Sequence, residues 1–429
     1  MSQLLKIQAS EKEAWCIEQW LDYLGLIHPS EIELGLERVA EVYQKLQLDL
    51  SQITVVTVAG TNGKGTTCAL IEQALLKSHH KVAVFSSPHI LDYRERVRVC
   101  GAMLSEKVHC QAFLKIDQVR GDIPLTYFEF GTLAALWLMA QSAANYWLLE
   151  VGLGGRLDAV NIIDANIAVI TSIDLDHQDW LGDTRELIAT EKAGVFRANI
   201  PAIIGEPQPP SSLKNAVLSY QVNPYWQGQD FHYELTEDGF QWQSKNRTYK
   251  NLPLPKIPAQ NAATALQVIE LLGLQLDDSQ MTQVFTHTSL PGRRQLINSH
   301  PSVMLDVAHN PQATLLLSEE LANMPYQNVI AVVAMLQDKD IDATLAPMLP
   351  IVSQWHCASL HVPRGAKSDV LVSAVSSSKQ KVLDYDCVET AYKMALAEAN
   401  DNDLVIVFGS FFTVASVLNM GKSTPQKKV

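Results

Sequence analysis

The sequence has no cysteine pair. Its six cysteines (Cys16, Cys68, Cys100, Cys110, Cys357, Cys387) form no CxxC and lie beside no histidine cluster, which argues against a disulfide framework or a zinc site and for a reducing compartment. It also lacks a long basic run: 33 Lys and Arg stand against 46 Asp and Glu, a net charge of −13. Nucleic acid and anionic membranes are thus disfavoured partners, and an anionic substrate has to be held by a few local cations and by metal. No apolar run reaches membrane-spanning length; GTLAALWLMA stops after ten residues. The start, MSQLLKIQASEKEAW, lacks a signal peptide's apolar core, so a cytoplasmic protein is expected. No internal repeat is found.

What is present is a 429-residue chain with 47% hydrophobic and 18% charged residues, ordinary for a globular protein and long enough for two domains. Its organising stretch is TVVTVAGTNGKGTT, Thr54 to Thr67. Thr54 to Ala59 read as a β-branched central parallel strand. Gly60, Gly63 and Gly65 then frame Lys64, and Leu70, Ile71, Ala74 and Leu75 follow at helical spacing. Strand, glycine turn and helix surround one point with backbone N–H groups, a helix N-terminus and an ammonium, which suits a polyphosphate. The spacing is shorter than in the common phosphate-loop pattern, since only Thr61 and Asn62 separate Gly60 from Gly63. Thr66 or Thr67 can offer a hydroxyl to magnesium.

Before this stretch, residues 11–50 read as two helices joined through Gly25 to Glu33. After it, KVAVFSSPHI is a second strand whose carboxyl end carries Ser87, a candidate metal or phosphate ligand, against simple turn chemistry. Tyr127, Phe128 and Phe130 with Glu129 precede a helix; they suit either a platform for a flat ring or core packing. YWLLEV (Tyr146 to Val151) buries Glu150 near a strand end, a costly charge unless paired or metal-bound. GLGGRLDAVN gives a glycine turn with Arg156 and Asp158. IAVITSID runs into His177, which can ligate metal or be structural. Asp183 is read as the cap of the next helix. Lys192 falls four residues after Ile188, either a snorkelling lysine or one able to take up carbon dioxide and become an anionic ligand.

Residues 200–258 change character: a strand, a Pro-rich PQPP, then YWQGQDFHYELTEDGFQWQ as a small antiparallel appendage. NAATALQVIELLGL is a helix with Asn261 at its cap. LPGRRQ reads as a linker, and beyond it strands and helices alternate again to a tail, GKSTPQKKV, expected to be disordered. The fold class is therefore α/β: an N-terminal phosphate-loop-type, doubly wound, mostly parallel sheet with the appendage (1–289), a linker (290–295) and a smaller C-terminal Rossmann-like α/β domain (296–429).

GTNGKGT, SSPH, TYFEFGT, EVGLGGRLDAVN, DLDHQDWLG, EKAGVFR, NAATAL, LPGRRQ and DVAHNP occur in this order over nearly the whole chain. Together they resemble the Mur-ligase-like superfamily and, through TYFEFGT and GLGGRLDA, its folate branch, the bacterial bifunctional dihydrofolate synthase/folylpolyglutamate synthase family. The resemblance implies an ATP-dependent amide ligase. A pterin-bearing carboxylate is phosphorylated by ATP, and the amine of L-glutamate attacks the acyl phosphate. Dihydropteroate and reduced folates are the implied acceptors, with two magnesium ions and a monomeric protein. Carried over by position, Thr61, Asn62, Gly63, Lys64, Gly65 and Thr66 hold the phosphates. Asn261, Arg293 and Asp306 contact ATP, with His309 nearby and functional. Ser87, Glu150, His177 and carbamylated Lys192 ligate metal. The pterin lies along Glu33, Leu34 and Gly35; Thr126, Tyr127, Phe128 and Glu129; and Leu157, Asp158 and Ala159. The chain departs from the family pattern at Glu33, usually Asp, at Arg294, often an aromatic, and at Phe412, commonly His. A ligase with only one of the two activities, a phosphotransferase and a non-catalytic ATP-binding paralogue are the competing readings.

Overall fold

A computed structural model describes residues 9–30, 32–377 and 379–422. The first residues of the N-terminal stretch and the tail from 423 onward lie outside the described residues. The chain divides into two compact units. The first comprises residues 1–89, 93–173 and 177–288; the second comprises 90–92, 174–176 and 289–429.

The first unit is built on an eight-stranded sheet: β1 (Thr54–Ala59), β2 (Val82–Phe85), β3 (Val97–Val99), β4 (Ala102–Met103), β5 (Tyr146–Glu150), β6 (Ile167–Ile170), β7 (Pro201–Ile204) and β8 (Asn223–Trp226). Their spatial order is β4-β3-β2-β5-β1-β6-β7-β8, and only the β2–β3 and β3–β4 pairs are antiparallel. β1 lies at the centre because both its faces are apolar. Val55 shares a core with Trp147, Leu149, Phe85 and Leu133 on one side. Val56 and Val58 share the other core with Leu148, Leu70 and Ile71. Helices Glu37–Leu46, Glu106–Arg120 and Tyr127–Gln141 contribute to the first layer. Helices Lys64–Lys77 and Ala259–Leu271 pack on each other in the second layer.

Three assignments made from sequence are corrected here. The aromatic stretch after PQPP is not one appendage: helix Ser211–Tyr220 comes first, and Asn223–Trp226 joins the large sheet as β8. Only β9 (Phe231–Thr236), β10 (Gly239–Ser244) and β11 (Thr248–Leu252) form the separate antiparallel sheet. Asp183 does not cap helix Arg185–Lys192; Thr184 is the extended residue there, and its hydroxyl accepts from Leu187 N at 3.3 Å. Asn261 is not a cap either. Its helix starts at Ala259 after Pro258, whose fixed φ suits a helix entry, so Asn261 sits in the first turn with its side chain turned inward.

The second unit holds a six-stranded sheet of β12 (Gln295–Ser299), β13 (Ser302–Leu305), β14 (Val329–Val333), β15 (Val352–Ala358), β16 (Lys381–Tyr385) and β17 (Leu404–Phe408). Its order is β12-β13-β17-β14-β15-β16, parallel except for the β12–β13 hairpin. Within LPGRRQ, Arg293 N donates to Leu290 O at 3.1 Å and Gln295 already opens β12, so the segment is a tight turn into a strand.

The first unit's glycine loop is seated by contacts that leave no room for side chains. At Gly60 (φ +149°) an added Cβ would come within 1.9 Å of Thr171 Oγ1. At Gly63 (φ +87°) it would meet the Asn261 amide at 2.4–2.6 Å. Both effects act at Gly63→Ala: strain of about 1–3 kcal/mol from a non-glycine residue in that region, plus the clash. Gly63→Ala should lower the urea midpoint of the first unit. In Gly63→Ala/Asn261→Ala the clash is removed, so the double variant should lose less stability than the two single losses added together, as a double-mutant cycle would measure.

Candidate active site

β1, β2, β5 and β6 run parallel side by side, and their carboxyl ends make the crevice in which doubly wound sheets bind ligands. The register pairs Val58 with Glu150 and Ala59 with Ile170, so the Glu150 carboxylate stands level with the last turn before the glycine loop. Thr61 N donates to Ser172 O at 2.9 Å and Asn62 N to Ser172 Oγ at 3.0 Å, while Thr171 Oγ1 donates to Asn62 O at 2.6 Å. The two hydroxyl residues leaving β6 thus fix the loop backbone. Lys64 Nζ folds back on Gly60 O and Thr61 O at 2.9 and 3.0 Å, which keeps its ammonium inside the loop. Thr66 Oγ1 donates to Gly63 O at 3.0 Å and accepts from Asn261 Nδ2 at 2.9 Å. Thr67 is fully buried and turned into the core, so Thr66 is the hydroxyl at the loop.

Ser87 follows β2, and its N–H lies 3.3 Å from Glu150 Oε2, bringing these two candidate metal ligands together. Glu150 is only 6% exposed. Lys192, 4% exposed, reaches from helix Arg185–Lys192 to donate to Gly60 O at 2.9 Å, placing its nitrogen against the loop. His177 is exposed, has a left-handed backbone (φ +52°) and opens the short helix Gln178–Leu181. The Glu150 carboxylate with serine and threonine hydroxyls is a hard, oxygen-donor set that suits magnesium, and a buried carboxylate beside a cradle without Cβ atoms fits a cation riding on a polyphosphate.

The residues expected along the pterin separate into two groups. Thr126 caps helix Tyr127–Gln141: its hydroxyl accepts from Glu129 N at 3.3 Å, and Glu129 Oε2 accepts from Thr126 N at 2.8 Å. Arg38 then takes both Glu129 oxygens, Nε to Oε2 at 2.9 Å and NH2 to Oε1 at 2.8 Å. The same guanidinium pairs with the Glu33 carboxylate and donates to Glu33 O at 2.7 Å. Arg38 therefore joins the Glu33–Gly35 segment to the TYFE segment. It was missed because it lies in the amphipathic LERVAEVYQKL stripe; the signal available was Glu129, a carboxylate in an apolar helix that requires a cation. Phe128 fills the space over Gly152, where an added Cβ would lie 2.6 Å from the ring.

Asp158 belongs to the other group. Its oxygens accept from Gly152 N, Leu153 N and Val160 N at 3.0, 2.8 and 2.9 Å, bracing the GLGGRLDA loop and capping the turn Ala159–Ile162. Burial pushes its carboxyl up to about 6, opposed by those three N–H groups and by Lys64. Leu157 is partly exposed on this loop and Ala159 is buried.

In the second unit Asp306 accepts from Arg294 N at 2.9 Å and Ala308 N at 2.8 Å. Arg293 lies over the Phe411 ring at 4.9 Å. His309 Nδ1 is 2.8 Å from Val307 O, and its Nε2 is 3.5 Å from Asp176, which also holds Lys339 at 2.5 Å and Asn310 at 3.0 Å. Lys339 and Asn310 are further site-side polar groups that their sequence context did not single out. Arg294 pairs with Glu320, which accounts for a second arginine where the family often has an aromatic.

Residues 58–269 match the Mur ligase middle domain and residues 292–411 the Mur ligase glutamate ligase domain. The dihydrofolate synthase/folylpolyglutamate synthase of Escherichia coli K12 is 44% identical over 415 residues, 96% of this chain and 97% of the relative. The structure of E. coli FolC in complex with DHPP and ADP superposes with a TM-score of 0.92 over 96% of this chain and 99% of that one, again at 44% identity. A bifunctional folylpolyglutamate synthase/dihydrofolate synthase with Mn, AMPPNP and L-glutamate bound gives a TM-score of 0.89 at 46% identity, covering 96% and 99% of the two chains. Matched by both Mur ligase domains and, over nearly its whole length, by these relatives, this protein belongs to the dihydrofolate synthase/folylpolyglutamate synthase family of Mur ligases.

Proposed function

We propose the following division of labour for an ATP-dependent ligase that adds L-glutamate to dihydropteroate, making dihydrofolate, and further glutamates to reduced folates. The family membership carries the reaction; the Ser87–Glu150 contact beside the Lys64 loop is the observation that carries the assignment of its centre.

The phosphates of ATP lie on the N–H groups of residues 61–66 with Lys64, whose two loop-carbonyl bonds exchange for phosphate oxygens. Asn261 orients Thr66. Arg293 and Asp306, with His309, serve ATP and glutamate from the C-terminal domain. Residues 1–289, 290–295 and 296–429 are the ATP-binding domain, linker and glutamate-ligase domain; the two compact units and the glutamate ligase match at 292–411 support that division. Ser87, Glu150 and His177 hold magnesium, two ions in this reading, and when bound the metal neutralises charge on the transferring phosphoryl group. Glu33 to Gly35, Thr126 to Glu129 and Leu157 to Ala159 flank the pterin. The protein's part in catalysis is positioning and charge compensation, with the acceptor carboxylate aligned on the γ-phosphate and the glutamate amine aligned on the acyl phosphate. A cytoplasmic location agrees with the folate substrates, and no helix among the described residues is long and apolar enough to cross a membrane.

Lys192 is the second metal-side group. Carbamylation would leave one N–H to keep the 2.9 Å bond to Gly60 O and turn the new carboxylate outward as a ligand.

Phosphate release from MgATP should depend on L-glutamate and proceed with 7,8-dihydropteroate and with tetrahydrofolate; release with one acceptor alone would reduce the protein to a single activity. Glu150→Gln should lower kcat at least 100-fold, a loss on the scale of one preorganised electrostatic group. Activity of the decarbonated enzyme should rise on adding bicarbonate, and Lys192→Ala should abolish that response. An enzyme indifferent to bicarbonate, with an unmodified intact mass, would remove the carbamate.

A further inference from the structure

Arg96 is 9% exposed, yet among the described residues it has no carboxylate partner. Its neighbour on the strand, Arg98, is satisfied by Glu72 at 2.8 Å. Arg96 instead donates through Nε to His89 Nδ1 at 2.9 Å, and its guanidinium carbon lies 5.4 Å from the centre of the Tyr93 ring and 5.6 Å from that of Tyr127. Tyr93 and Tyr127 meet edge to face at 6.2 Å, so the guanidinium is held by two aromatic rings and an imidazole. These partners fix its position without neutralising it. The terminal NH1 and NH2 groups make no hydrogen bond to the described residues, which leaves the planar fork that takes a carboxylate bidentately.

An arginine stays protonated when buried, and an uncompensated buried charge costs several kcal/mol. A guanidinium held in this way keeps the capacity to take an anion that arrives with a ligand. The location names the anion. Arg96 O accepts from Ser86 N at 2.9 Å, directly before Ser87, and Tyr127 opens the TYFE segment. Arg96 is thus tied through its carbonyl to the segment that carries Ser87 and through its guanidinium to the start of the TYFE segment.

We propose that Arg96, oriented by His89 and flanked by Tyr93 and Tyr127, binds a carboxylate of the folate-type substrate. This rests on the placement of that substrate along Thr126 to Glu129. Two carboxylates share the chemistry: the benzoate carboxylate, present in dihydropteroate, and the glutamate α-carboxylate, present only in reduced folates.

The test compares wild type, Arg96→Gln and Arg96→Lys by KM for dihydropteroate, tetrahydrofolate, ATP and L-glutamate. It is joined by equilibrium binding, with ADP present, of dihydropteroate and of 6-hydroxymethyl-7,8-dihydropterin, which lacks the carboxylate. Loss of a charge-assisted bidentate contact should raise the folate-side KM of Arg96→Gln about 10- to 100-fold, with the ATP and glutamate values unchanged and Arg96→Lys intermediate. A rise for dihydropteroate alone, with Arg96→Gln losing part of the wild-type preference for dihydropteroate over the carboxylate-free pterin, identifies the benzoate carboxylate, which tetrahydrofolate carries only as an amide. A rise for both acceptors assigns Arg96 to whichever carboxylate each acceptor presents. A rise for tetrahydrofolate alone identifies the α-carboxylate. Unchanged folate-side values, or a rise confined to ATP or L-glutamate, overturn the proposal. Unchanged ATP KM in a folded variant separates lost recognition from lost structure. A wild type that releases no phosphate with either acceptor overturns the ligase reading itself, a different result from an active wild type matched by Arg96→Gln.

Discussion

The loop from Gly60 to Gly63 runs closer to its neighbours than any side chain would permit, and the catalytic end of the first unit depends on that proximity. Thr171 and Ser172, leaving β6, clamp one side of the loop, and Asn261 presses on the other. With the loop backbone fixed, Lys64 has carbonyls to fold against, and Lys192 has Gly60 O as an anchor. The parallel register does the rest, since β5 and β2 end at the same level and deliver Glu150 and Ser87 to one point. A buried carboxylate and two lysines are costly individually; gathered around a loop of N–H donors they form a set of opposite charges with the chemistry to hold a polyphosphate and its cation.

The start of helix Tyr127–Gln141 follows a different electrostatic plan. Glu129 and Thr126 close the start of a helix that is apolar on every side, and Arg38 neutralises the carboxylate from another segment. That arginine is saturated by protein acceptors. Arg96, beside the Tyr127 ring, is held among the described residues by rings and an imidazole alone. Two guanidiniums that both contact the TYFE segment thus have opposite states of compensation.

What could be read from the sequence was whatever is local. TVVTVAG followed by GKGTT, and YWLLE with its terminal carboxylate, carry their environment in neighbouring residues, because a strand buried on both faces is apolar throughout and a glycine turn is spelled out in order. Two sheets, their largely parallel character and the position of Glu150 follow from such patterns. The parts that escaped are set by distant pairing. Asn223–Trp226 has the same alternating look as the hairpins after it, and only its pairing with Pro201–Ile204 assigns it to the large sheet. The antiparallel β3, β4 and β12 are short edge elements with little pattern of their own. Asp183 and Thr184 are both good caps, and the choice between them depended on where the backbone turned extended. Arg38 and Arg96 resemble surface arginines until the helix they face is known.

Glu129 carries two duties at once, cap of a buried helix and counter-ion of Arg38, with its oxygens already committed to a backbone N–H and that arginine. A residue so bound cannot drift: almost any replacement frays the helix before it alters recognition. Glu33 shares the same arginine but stands half in solvent and supports no helix. Sequence change around the TYFE segment is therefore channelled through the Glu33 segment and away from the helix start, and the longer side chain already present at Glu33 is a change of that permitted kind.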